Sequence, residues 1–261
     1  MKRRSFIQAS VVGISAMAAG GPTVATAAGE SQREIYELRT YSLKTVKIPL
    51  LDDYLKNAFM PALKRYGFGP VGVFVEQIGP ENVKSHVLLV HPRIESVSTL
   101  ATQMSADGEY QKSAAAYLAA TASDPIYERI DSSLLTAIAG MPKMELPNPA
   151  QPRLFNLRIY ESHNERASRK KIEMFNEGEL AIFKRVGLTP VFFAETILGS
   201  TMSNLTYMLV FPDDPGLKAA WGRFRTDPEW LKLKAIPEYA DKEIVSKVTN
   251  RLLTPASYSE V

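Results

Sequence analysis

Arg65-Tyr66-Gly67-Phe68-Gly69-Pro70-Val71 returns, 120 positions later, as Arg185-Val186-Gly187-Leu188-Thr189-Pro190-Val191. Working outward, Leu38-Arg39-Thr40-Tyr41 matches Leu157-Arg158-Ile159-Tyr160, and Val90-His91-Pro92 matches Val210-Phe211-Pro212. Gly79 matches Gly199, and Asp107-Gly108-Glu109-Tyr110 matches Asp227-Pro228-Glu229-Trp230. The spacing of 120 holds from Arg65 to Trp230, after which Leu134-Leu135-Thr136 returns as Leu252-Leu253-Thr254. Self-similarity of this order is the mark of a duplicated unit. The seam is Gly140 to Pro152, where four prolines in thirteen residues predict an extended linker. The first copy is expected over residues 33–139 and the second over 153–255.

Each copy reads as the same series of elements. Ile35 to Tyr41 alternates as a strand, and Leu51, Leu55, Ala58, Ala62 and Tyr66 fall at helical spacing before Gly67, a residue suited to ending a helix. Val71 to Ile78 and His86 to Val90 are rich in β-formers and are closed by Gly79-Pro80 and Pro92. Residues 96–120 read as one or two helices broken near Asp107-Gly108, and a last strand covers Ile130 to Ala137. The order β-α-β-β-α-β is the ferredoxin-like unit, whose sheet is covered by helices on one face only. Two such units can cover each other's bare faces. The predicted fold class is therefore α+β, with two tandem ferredoxin-like domains forming a pseudo-dimeric α+β barrel.

Tyr36-Glu37-Leu38-Arg39-Thr40-Tyr41, Glu76 with Gly79 and Asn82, and His86 in the next strand together carry a resemblance to the NIPSNAP family. Asp227-Pro228-Glu229-Trp230 and Ser132-Ser133-Leu134-Leu135 add to it. The resemblance implies the barrel fold and no settled enzymatic activity. The second copy departs from the pattern: Asn156 stands at the Glu37 position and Thr206 replaces His86. A site that uses both residues is expected to be lopsided.

The first thirty residues carry an address. Lys2-Arg3-Arg4-Ser5-Phe6-Ile7, a mildly apolar run from Ala9 to Ala19 and Ala25-Thr26-Ala27 read as a twin-arginine signal peptide over residues 1–27. The run is short and rich in Gly, Ser and Ala, so stable membrane insertion after signal removal is not expected. Export by this route predicts a periplasmic or secreted protein. Lys2, Arg3 and Arg4 supply the whole formal excess of +3, which leaves the mature chain near neutrality. A neutral chain has no charge surplus for phosphates, so nucleic acid is not expected as a partner. There is no cysteine, which excludes disulfides, thiolate chemistry and iron–sulfur ligation.

Candidate ligand-binding residues come from strand parity. Glu37, Arg39 and Tyr41 share one face, as do Asn156, Arg158 and Tyr160, opposed by Phe155, Leu157 and Ile159. The apolar set is expected beneath the helices, which sends Arg39, Tyr41, Arg158 and Tyr160 into the lumen. There they would suit an acidic or carbonyl-bearing small molecule, because Arg grips carboxylates bidentately. The competing reading pairs Glu37 with Arg39 in a purely structural network. His86 is a candidate proton carrier or a hydrogen-bonded strand histidine. His86 and His91, five apart, face opposite ways, and His163 falls in a polar loop, so no metal centre is expected. Glu76 and Glu195 also differ in parity and form no carboxylate pair. Asp227-Pro228-Glu229 reads as a helix start and Trp230 as core, with a pocket wall as its other reading, while Asn164 to Lys171 reads as a solvated helix start.

Three functions stay open. The first is a module that binds a small molecule, a protein partner or a second copy of itself as a homo-oligomer, with no cofactor. The second is a cofactor-free α+β-barrel enzyme of the monooxygenase or isomerase kind using Tyr41, His86 or Arg39. The third is a haem-dependent peroxidase, prompted by export together with paired ferredoxin-like halves. The Gly-x-x-Asp-Gly stretch of exported dye-decolourising peroxidases is missing.

Overall fold

The structure is a computed structural model and describes residues 32–261; the twin-arginine segment lies outside the described residues. The first copy runs β1 (Ile35–Lys44), α1 (Ile48–Tyr54), a π-helical turn (Leu55–Phe59), α2 (Met60–Arg65), β2 (Val71–Gln77) and β3 (Asn82–His91). It continues through α3 (Ser96–Ala106), α4 (Gly108–Ser113) and α5 (Ala115–Leu118) to β4 (Arg129–Ala137). The second copy repeats the order. It runs β5 (Leu154–Glu161), α6 (Glu165–Met174), a π turn (Phe175–Glu179), α7 (Leu180–Val186), β6 (Thr189–Leu198) and β7 (Asn204–Phe211). Then come α8 (Asp214–Thr226), α9 (Pro228–Leu233), α10 (Asp241–Ile244) and β8 (Lys247–Pro255).

The repeated residues do the same structural work twice. Gly67 and Gly187 take φ of 78° and 85° just past α2 and α7, the left-handed conformation that glycine adopts without a Cβ clash. Asp107 and Asp227 cap α4 and α9 by accepting backbone N–H bonds from Tyr110 and from Glu229 and Trp230. Arg65 clasps Asp107 and Glu109, and Arg185 clasps Asp227 and Glu229. The motif thus ties the end of one helix to the start of another in each copy.

Eight antiparallel strands close into one barrel in the order β1-β3-β2-β8-β5-β7-β6-β4. Within each copy the order is 4-1-3-2, the split β-α-β arrangement expected of the unit. The copies join at two seams. β4 pairs with β6 from Leu134↔Leu198 to Ala137↔Ala194, with a bulge near Leu134. β2 pairs with β8 only at Phe74↔Pro255 and Val75↔Thr254, and residues 256–260 prolong that seam along β2. There Ser259 Oγ and Glu260 Oε2 accept from the amides of Val73 and Val71. No helix among the described residues is long and apolar enough to cross a membrane.

Three apolar clusters result. One lies between the first sheet and its helices, one between the second sheet and its helices, and one fills the lumen. The lumen holds Tyr36, Leu38, Phe74, Leu88, Val90 and Leu135 from the first copy against Phe155, Leu157, Phe192, Ala194, Met208 and Leu253 from the second.

Candidate functional site

That distribution overturns the expected orientation of the strands. Phe155 and Leu157 point into the lumen, while Arg39, Tyr41, Arg158 and Tyr160 lie beneath the helices. Tyr41 belongs to the first helix-side cluster and Tyr160 packs on the second. The Arg39 guanidinium sits 5.2 Å from the Phe59 ring, and Arg158 sits 4.5 Å from the Trp221 ring of α8. The physical reason is the relative dryness of the two layers. Strands enclose the lumen all round, so its middle takes the apolar set, and the polar residues it holds gather at one end and pair with one another. The helix layer is open along β4 and β8, where Ile130, Val248 and Leu252 stay exposed, so charged side chains can sit at its margin.

His86 follows the opposite parity and does face the lumen, near one end. Its Nδ1 lies 3.0 Å from Thr40 Oγ1 and its Nε2 3.0 Å from Glu76 Oε2; Arg251 Nη1 stands 3.0 Å from both Glu76 oxygens. Burial lowers the His86 pKa, against the pull of Glu76. At the same level the second copy carries Thr196 and Thr206, which both donate to Asn204 Oδ1. With both ring nitrogens engaged, His86 is a hydrogen-bonded strand histidine. His91, beneath the helices, is engaged likewise by Ser96 and Glu37, so neither ring offers a free nitrogen to a haem iron. Among the described residues no group of three His, Asp or Glu could hold a metal ion.

Beneath the first set of helices, the structural pairing of Glu37 with Arg39 holds. Arg39 Nε and Nη2 donate to the two Glu37 oxygens at 2.5 and 2.9 Å, and Ser132 Oγ and His91 Nε2 donate at 2.7 and 3.3 Å. Burial alone would raise the Glu37 pKa; the hydrogen bonds and the Arg39 charge outweigh it and hold the carboxyl at about 2. A depressed carboxyl stabilises the fold above its ordinary value near 4.5 and loses that contribution as the pH falls towards 2. Glu37→Gln should therefore cost about 3 kcal/mol at pH 7. It should also flatten the acid limb of stability, as read from urea midpoints taken across that range. An unchanged acid limb would refute the assignment.

Beneath the second set of helices the same framework is left open. A cleft of about 790 Å³ lies between the outer face of β5 and β8 and helices α8 to α10. Seven of its lining residues are cationic and two are acidic. Arg158 and Tyr160 line it, on the helix side of the sheet and not in the lumen where they were expected. Asn156, in the place of Glu37, donates to the Arg251 carbonyl oxygen at 3.1 Å, which fixes its amide orientation. Its Oδ1 and the Arg158 Nε are buried without a partner. Among the described residues the Arg158 guanidinium makes one hydrogen bond, Nη2 to Tyr160 Oη at 3.2 Å, and no ion pair. Tyr207 Oη also donates to Tyr160 Oη at 2.9 Å. Tyr160 thus accepts twice, and its own proton is free for a further acceptor.

A buried ion pair completes the wall. Lys171 Nζ donates to Glu179 Oε2 at 2.8 Å, and both side chains are only 2 % exposed. Lys171 was expected on a solvated helix start. Asn164 does cap α6, accepting from Ala167 N at 2.9 Å, but Lys171 lies two turns deeper over the rings of Phe175, Tyr160 and Trp230. Residues eight apart stand about 80° apart around a regular α-helix, where roughly seven residues make two turns. The π turn at Phe175–Glu179 absorbs the extra residue and brings Glu179 into line with Lys171. Burial pushes the Glu179 pKa up, against the Lys171 attraction. A sequence signal existed: at the spacing of 120, Lys171 and Glu179 occupy the positions of Leu51 and Phe59. Opposite charges in place of two apolar residues mark the second copy as the polar one. Trp230, read as core, packs in the helix-side cluster and lines the cleft as well; Trp221 was missed.

Comparison with known proteins bears on this half. The NIPSNAP family model matches residues 155–260. No curated protein sequence matches the chain. A monooxygenase candidate from Fusobacterium nucleatum superposes with a TM-score of 0.56 at 6 % identity, covering 85 % of this chain and 92 % of its own. Another from Lactobacillus acidophilus gives 0.55 at 10 %, covering 88 % and 98 %. A NIPSNAP family protein from Agrobacterium tumefaciens gives 0.39 at 17 %, covering 45 % of this chain and 98 % of its own. At these identities the first two show a shared barrel fold, and nothing about chemistry.

Proposed function

We propose that this NIPSNAP-domain protein binds a small organic anion in the cleft of its second half, with Arg158 as the anchoring cation. One observation carries the reading. The duplicated arginine Arg39 is neutralised by its own carboxylate, Glu37, whereas Arg158 faces a cation-rich cleft with Asn156 in that carboxylate's place. An arginine held on Trp221 and Tyr160, with donors to spare, is prepared for a carboxylate that the chain does not supply. The aromatic walls Trp221, Phe224 and Trp230 suit an apolar body on the same molecule. The proposal includes work outside the cytoplasm, which the Arg3-Arg4 leader supports.

Titration of the purified protein with sodium phenylacetate, followed calorimetrically, tests the reading. Arg158→Met keeps much of the contact with Trp221 and removes the charge, and should weaken binding about 10- to 100-fold. Equal affinity in wild type and variant would remove Arg158 from the site. A cofactor-free enzyme acting in the same cleft is the second reading. It is favoured by the buried Glu179 carboxyl, whose raised pKa is the property of a group that exchanges protons.

A further inference from the structure

The first copy shows what a filled version of this cleft looks like. Beneath its helices Tyr117 inserts a phenol ring, stacked on Tyr54 with centroids 3.6 Å apart and planes within 7°. It packs against the same helix-side cluster that holds Tyr41, the counterpart of Tyr160. One carboxylate, that of Glu37, saturates the adjacent arginine. The second copy lacks both fillers. Asn156 replaces the carboxylate, and Tyr239, on the segment that corresponds to the one bearing Tyr117, is drawn instead to Glu173 and Glu177, to which its hydroxyl donates. What remains around the opening is Arg158 with no carboxylate and Tyr160 with an uncommitted proton, walled by two tryptophans.

We infer that the cleft takes a phenolic carboxylate: an aromatic ring where the first copy places Tyr117, its hydroxyl on Tyr160 and its carboxylate on Arg158. The inference rests on the anion-binding reading above and narrows it to a ligand class. The ring takes the place of Tyr117 and packs on the tryptophan walls, since Met174 stands where the first copy has Tyr54, and the carboxylate gives Arg158 the partner that Arg39 already has. Neither group alone accounts for both differences between the copies. A simple aliphatic acid would answer the missing carboxylate and leave the ring space unfilled. A neutral phenol would fill the ring space and leave the arginine unpaired.

Trp221 and Trp230 are the chain's only tryptophans and both line the cleft, so intrinsic fluorescence excited at the red edge reports binding there directly. The experiment titrates the full chain with 4-hydroxyphenylacetate, phenylacetate, 4-methylphenol and tyramine. The expected order places 4-hydroxyphenylacetate about five- to tenfold tighter than phenylacetate, the worth of one hydrogen bond. The neutral phenol should bind more weakly than either acid, and tyramine, with its charge reversed, should not bind. In Tyr160→Phe the preference for 4-hydroxyphenylacetate over phenylacetate, read as the ratio of the two affinities, should disappear whatever the loss of its bond to Arg158 does to both acids. Equal binding of the two acids to wild type would overturn the phenolic assignment and leave the organic-anion reading standing. Absence of binding by both acids would overturn the two together. The wild-type series decides the matter even if Tyr160→Phe does not fold.

Discussion

Glu179→Gln is expected to cost about 3–5 kcal/mol of folding stability, because it leaves the Lys171 ammonium buried without its counter-charge. Both side chains are almost wholly enclosed, so solvent cannot take over the lost partner. The rings of Phe175, Tyr160 and Trp230 around Lys171 Nζ offset part of the loss but provide no anion. The companion experiment imports the first copy's solution. Lys171→Leu with Glu179→Phe recreates the pair Leu51 and Phe59, and should return stability to wild type or above, since well-packed apolar groups commonly match or exceed a buried ion pair. Urea denaturation at pH 7 measures both. A single substitution costing under about 1 kcal/mol would mean the pair is worth no more than a solvated one. The pair is a poor device for stability alone, and it stands in the wall of the cleft proposed to bind an anion.

Phe155→Ala should be comparably costly, about 3–5 kcal/mol, by opening a cavity in the lumen. Phe155 meets Phe74 edge-to-face at 4.7 Å, a contact between the two copies, and both rings are fully buried. Arg158→Met, two residues along and on the other face, should change stability by less than about 1 kcal/mol while abolishing most of the binding. The contrast separates the two layers of the sheet. Were Phe155→Ala mild and Arg158→Met severe in denaturant midpoints, the lumen would not be the dry layer described here.

The fold was legible because its signals are local and repeated. The glycines past α2 and α7, the Asp caps of α4 and α9 and the period-two strands each specify their element without reference to distant residues. Duplication then argued for closure, since two half-covered sheets have one economical way to hide their bare faces. The side-chain set Arg158 and Tyr160 was legible for the same reason: parity along a strand needs only the sequence. Lys171 and Glu179 were not, because a charged residue on an amphipathic helix ordinarily marks the solvent side and the π turn that aligns the pair leaves no trace in composition.

By itself the sequence determined the number of copies, the order of elements within each and which side chains share a face. Tertiary structure alone decided which face looks inward. In this barrel helices cover much of the outer face as well, so alternation tells the two sets apart without saying which layer is the drier. Enclosure decides that, and enclosure is a property of the closed ring of eight strands. The same closure puts Arg158 at an open margin beside α8 to α10, where Asn156 stands in place of the Glu37 carboxylate.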